Sequence, residues 1–100
     1  MVEEKRRPSP RLRASPGSHV SYVEGAGAIR DLSVDGVFVL DPEPLPVGTE
    51  FKFSLRFRDQ EIPLQGIVRR SVDEEGMGIE FAGISREARR QLRLHIASLS

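Results

Sequence analysis

Cysteine is absent from this chain, and tyrosine occurs once. Without thiols there are no disulfides, no thiolate metal sites and no cysteine nucleophile, and a cytoplasmic setting is expected. Net charge is missing as well, since 15 Lys and Arg stand against 15 Asp and Glu. A broad basic field able to hold a nucleic-acid polymer is therefore not expected. Aromatics make up only 6% of the residues, and most of the phenylalanines read as core, which argues against a base-stacking surface for single strands. No apolar run reaches the length of a membrane span, and the charged first residues lack the apolar centre of a signal peptide, so no membrane insertion is expected. His19 and His95 are the only histidines, and neither belongs to a cluster with metal-ligand spacing, so neither metal nor catalytic cofactor is expected. Ser33, His19 and Asp31 make a hydrolase triad on paper. Nothing around them resembles a nucleophile elbow or an oxyanion loop, so the chain does not read as an enzyme.

What is present is a chain of 100 residues, 38% hydrophobic and 30% charged, enough for one small core. Charge is unevenly spread. Lys5, Arg6, Arg7, Arg11 and Arg13 face only Glu3 and Glu4 within the first 16 residues, a basic arm on a neutral body. Residues 1–17 also contain Pro8, Pro10 and Pro16, which forbid a regular helix and predict an irregular arm that orders when something anionic binds. The remainder, 18–100, reads as the folded body.

Strands dominate that body. Ser18 to Glu24 reads as the first, with Gly25-Ala26-Gly27 as a flexible connection to Ala28-Ile29-Arg30. Val37 to Leu40 is a continuous apolar run, read as a buried strand, and the proline-dense stretch Asp41 to Gly48 is a loop. Phe51, Phe53, Leu55 and Phe57 alternate with polar residues, the clearest half-buried strand in the chain. From Ile62 to Val72 the apolar positions change phase between Leu64 and Ile67, so a β-bulge or sharp bend is predicted at Gly66. Met77, Ile79 and Phe81 form the inward face of a last strand. Ser85 then caps a helix whose Ala88, Leu92, Ile96 and Leu99 face inward and whose Arg86, Arg89, Arg90 and Arg93 face outward. The expected fold is all-β: a small antiparallel, six-stranded barrel, closed or nearly so, with one C-terminal α-helix.

The candidate site begins at the turn Asp31-Leu32-Ser33-Val34-Asp35-Gly36. In extended backbone, residues i and i+2 face the same way, so Asp31 and Ser33 can address one ligand. Gly36 provides conformational freedom and lets another group approach closely. The structural alternative is that Asp and Ser hydrogen-bond within their own turn.

Arg7-Pro8-Ser9-Pro10-Arg11 followed by this turn, R-x-x-x-R then D-x-S-x-x-G, resembles the PilZ domain, the bacterial receptor module for cyclic di-GMP. Pro44-Leu45-Pro46-Val47-Gly48-Thr49 and Gly76-Met77-Gly78-Ile79-Glu80-Phe81 extend the resemblance over nearly the whole chain. It implies that Arg7 and Arg11 form the arginine pair and that Asp31, Ser33 and Gly36 form the turn half of the site, with Gly78 admitting a base. It further implies that Arg6, just before the pair, selects two stacked ligand molecules rather than one. The chemistry suits the residues: an arginine fork fits a phosphate or the O6/N7 edge of guanine and stacks on the base, while a carboxylate accepts from guanine N1 and N2. The expected function is to bind cyclic di-GMP and relay the signal to an effector protein, as a monomer or weak dimer. The alternative is an adaptor of the same fold that recognises a motility or envelope protein without nucleotide.

Overall fold

The computed structural model describes residues 12–13, 19–22, 25–57 and 60–99. Its strands are β1 (Leu12–Arg13), β2 (His19–Tyr22), β3 (Gly25–Leu32), β4 (Gly36–Leu40), β5 (Glu50–Phe57), β6 (Gln60–Val72) and β7 (Gly76–Ala82), followed by helix α1 (Arg86–Leu99). The paired strands run β1-β3-β2-β5-β6-β7-β4, and β4 also pairs with β3. The last pairing closes β2 to β7 into a six-stranded antiparallel ring with no open edge, as expected. β1 lies outside that ring, adding Leu12 and Arg13 beside Leu32 and Asp31 at the end of β3.

The core follows from period-2 alternation. On β5, Phe53, Leu55 and Phe57 are buried, and Phe51 and Phe81 flank Phe53 with ring centroids 5.1 and 6.1 Å away. Val20, Ile29, Leu32, Val37, Val39, Ile62, Leu64, Val68, Met77 and Ile79 join them in the interior. The helix closes one side. The Ser85 hydroxyl accepts from the Ala88 N–H at 3.0 Å, so the predicted cap is in place. Ala88 and Leu92 are buried, Ile96 and Leu99 rest against the same core, and His95 stacks on Phe57 with centroids 3.6 Å apart. Among the described residues no helix is long and apolar enough to cross a membrane.

Three local expectations are corrected. Gly25-Ala26-Gly27 is not a connection but the start of β3, because its backbone forms a ladder with Tyr22, Ser21 and Val20. The arm is not irregular throughout, since Leu12 and Arg13 join the sheet. The β6 bulge lies between Val68 and Arg70, not at Gly66. Gly66 occupies an ordinary inward position in an unbroken alternation, where a Cβ would lie 2.5 Å from Ile79 Cγ2 and 2.8 Å from the Glu80 carbonyl oxygen. A missing inward side chain looks like a phase slip in sequence.

Candidate functional site

The turn between β3 and β4 is held by its own atoms. The Ser33 N–H donates to the Gly36 carbonyl at 2.9 Å, and the Asp35 N–H donates to Ser33 Oγ at 3.1 Å. Ser33 is 2% exposed, with its hydroxyl 3.5 Å from the same Gly36 carbonyl. The Phe81 N–H donates to the Asp35 carbonyl at 2.9 Å, which fixes the turn against β7. Gly36 is there for close approach: a Cβ would stand 2.3 Å from the Ile79 carbonyl oxygen. The group that needs the space is β7, not a ligand, and Gly36 does not adopt positive φ. Ser33 and Gly36 therefore position the turn from beneath, and Ser33 does not face outward beside Asp31.

Asp31 does reach the surface. A register shift between Ile29 and Asp31 sets Arg30 and Asp31 together beside β4. The Arg30 Nε donates to Asp31 Oδ2 at 2.8 Å, its Cζ lies 3.9 Å from the centroid of the Phe38 ring, and its Nη1 is 3.7 Å from Glu75 Oε2. Phe38 belongs to the outer face, because its neighbours Val37 and Val39 fill the core. It is nevertheless only 5% exposed, in part because a guanidinium lies on its ring.

One transverse row crosses four strands at this point. Asp31 on β3 pairs with Phe38 on β4, Phe38 with Gly78 on β7, and Gly78 with Arg70 on β6. The second bulge, between Val68 and Arg70, places Arg69 and Arg70 both outward. Arg69 Nε donates to Glu80 Oε1 at 2.6 Å. The row forms the centre of a cleft of about 600 Å³ that Asp35 and Glu80 also line. Its ends carry a carboxylate and guanidinia, and its floor is an aromatic ring beside a bare glycine. Such a site suits a flat, polar, partly anionic ligand.

Of the residues singled out in sequence, Asp31 and Gly78 line this cleft, whereas Ser33 and Gly36 support it. Arg6, Arg7 and Arg11 lie outside the described residues. Arg30, Phe38, Arg69 and Arg70 were not foreseen. Phe38 was hidden in an apolar run read as core. The adjacent pair Arg69-Arg70 inside a strand breaks alternation, and that was the available signal for the bulge. His95, packed on Phe57, does not line the cleft.

The fold and cleft together define a small closed β-barrel with a ligand-sized site on its outer wall. The PilZ domain family model matches residues 4–98, and the chain belongs to that family. Among solved structures, K. pneumonia MrkH in complex with c-di-GMP aligns with a TM-score of 0.79 at 18% identity, covering 96% of this chain and 53% of that one. The PilZ domain of YcgR from Escherichia coli with c-di-GMP gives 0.76 at 20% identity, covering 95% and 92%. The longer YcgR complex with c-di-GMP from Escherichia coli gives 0.75 at 21% identity, and the chain spans 46% of its length. At these identities the likeness is one of fold. A comparison with curated protein sequences finds no match.

Proposed function

We propose that this chain is a cytoplasmic receptor for cyclic di-GMP, which it binds without chemical turnover and whose presence it relays to an effector protein. The observation that carries the reading is the row Asp31–Phe38–Gly78 beside the D-x-S-x-x-G turn, in a chain of the PilZ family. A guanine stacked on the Arg30 guanidinium, which itself lies on the Phe38 ring, turns its N1 and N2 donors to the Asp31 carboxylate. In this reading Arg7 and Arg11, with Arg6, supply the phosphate and guanine contacts from the arm. The stretch carrying Arg7 and Arg11 acts as the moving part, and its closure is the signal the effector reads.

Complexes of MrkH and YcgR with c-di-GMP share the fold and support the ligand assignment. A second reading, an adaptor that acts without nucleotide, draws on Arg30, whose Nε donates to the Asp31 carboxylate. Isothermal titration separates the two. The receptor gives saturable heat with cyclic di-GMP that is lost or strongly reduced in Arg7→Ala and Arg11→Ala. An adaptor gives none in any of the three proteins.

A further inference from the structure

The cleft contains three arginines, and two are already engaged: Arg30 with Asp31, and Arg69 with Glu80. Arg70 makes no hydrogen bond or ion pair among the described residues, although it lines the same cleft. The β6 bulge turns it outward, next to a partner that has no side chain: a Cβ on Gly78 would lie 3.6 Å from Arg70 Cβ and 3.7 Å from Phe38 Cδ2. Those are ordinary contact distances, so the sheet itself has room for a methyl there. The path along the row from Phe38 to Arg70 is open floor.

We infer that Arg70 is a ligand-binding residue of this cleft and takes a phosphodiester of the nucleotide whose base lies over Phe38. The inference rests on the cyclic di-GMP reading and follows from the order of the row. Guanine presents its N1 and N2 donors on one side and carries its sugar on the other. With the donors turned to Asp31 on β3, the sugar and phosphate point across Gly78 towards β6. Successive partners in an antiparallel sheet are about 5 Å apart, so Asp31 and Arg70 stand on the order of 15 Å apart along the wall, a separation that accommodates a nucleotide between the two side chains. An unpaired guanidinium at that end is the complement of an anionic oxygen. This contact comes from the barrel, independently of the arm.

The test is isothermal titration of the full chain with cyclic di-GMP, comparing wild type, Arg70→Ala and Arg70→Lys, with Arg93→Ala on the outer face of α1 controlling for net charge. Arg70 is exposed and has no ion pair or hydrogen bond among the described residues, so both variants fold. Arg70→Ala weakens binding by about tenfold or more, the loss of one charge-assisted hydrogen bond, and flattens its dependence on salt. Arg70→Lys keeps the point charge and recovers part of the affinity. Equal losses in the alanine and lysine variants overturn the phosphate assignment, since a fork reading a base edge is what lysine cannot replace. An Arg70→Ala protein that binds like wild type overturns any role for Arg70 while the receptor reading stands. A wild type that does not bind overturns both.

Discussion

Replacing Asp31 separates recognition from stability. The Asp31 carboxylate holds Arg30 at 2.8 Å, with the side chains 18% and 41% exposed. A pair this exposed contributes about 0–1 kcal/mol. Arg30 keeps its place on Phe38 without Asp31, because the ring contact at 3.9 Å and Glu75 at 3.7 Å remain. Loss of the Arg30 pair in Asp31→Ala therefore costs about 1 kcal/mol at most, a melting shift of roughly 4–8 °C for a domain of this size. Binding falls much further. Guanine N1 and N2 lose a charged acceptor inside the complex, a cost of about 2–5 kcal/mol where the contact is desolvated. Release of Arg30 from Asp31 offsets only the small free-state term, so affinity drops by about tenfold or more. Asp31→Asn is the sharper probe. It preserves shape, but one acceptor oxygen becomes an NH₂ that opposes the guanine donors, so it weakens binding nearly as much as alanine does. Calorimetric titration of both variants, alongside thermal melts, reads the two effects. Folded Asp31→Ala and Asp31→Asn proteins that bind cyclic di-GMP like wild type refute the carboxylate–guanine contact.

Three further outcomes are expected. Gly36→Ala destabilises the barrel by about 1–3 kcal/mol in chemical denaturation, because its methyl runs into the backbone carbonyl of Ile79. Gly78→Ala leaves stability close to wild type but weakens cyclic di-GMP binding by adding a methyl to the cleft floor; equal destabilisation by both would contradict the different packing of the two glycines. Arg6→Leu shifts the titration endpoint from two ligands per chain towards one without abolishing binding, since a second ligand brings further phosphate charge that a guanidinium offsets. A wild-type endpoint of one ligand per chain excludes the stacked pair.

The elements legible in sequence were those set by local period. Phe53, Leu55 and Phe57 announced β5, and Ser85 with Ala88 and Leu92 announced the helix, because alternation and capping are written in neighbouring residues. What sequence hid depends on partners far along the chain. The Gly25–Gly27 segment is strand only because β2 folds back on it. Gly66 mimicked a bulge because its inward space is filled by Ile79. Phe38 reads as core until Val37 and Val39 are seen to take the interior. The cleft itself was only half visible. The turn motif pointed to Asp31, but the alignment of Asp31, Phe38, Gly78 and Arg70 is a property of register across four strands. Ser33 and Gly36, equal members of the motif on paper, proved to be the turn's own fastening.

The most direct test of the central claim is a two-dimensional amide NMR titration of the isotope-labelled chain with cyclic di-GMP. Binding at the proposed cleft shifts the amides of Asp31, Phe38, Gly78 and Arg70, four positions on one row. The smaller pocket lined by Phe51, Lys52, Gln65 and Ala82 keeps its resonances in place. An unchanged spectrum at saturating nucleotide, or shifts confined to that smaller pocket, would contradict the account.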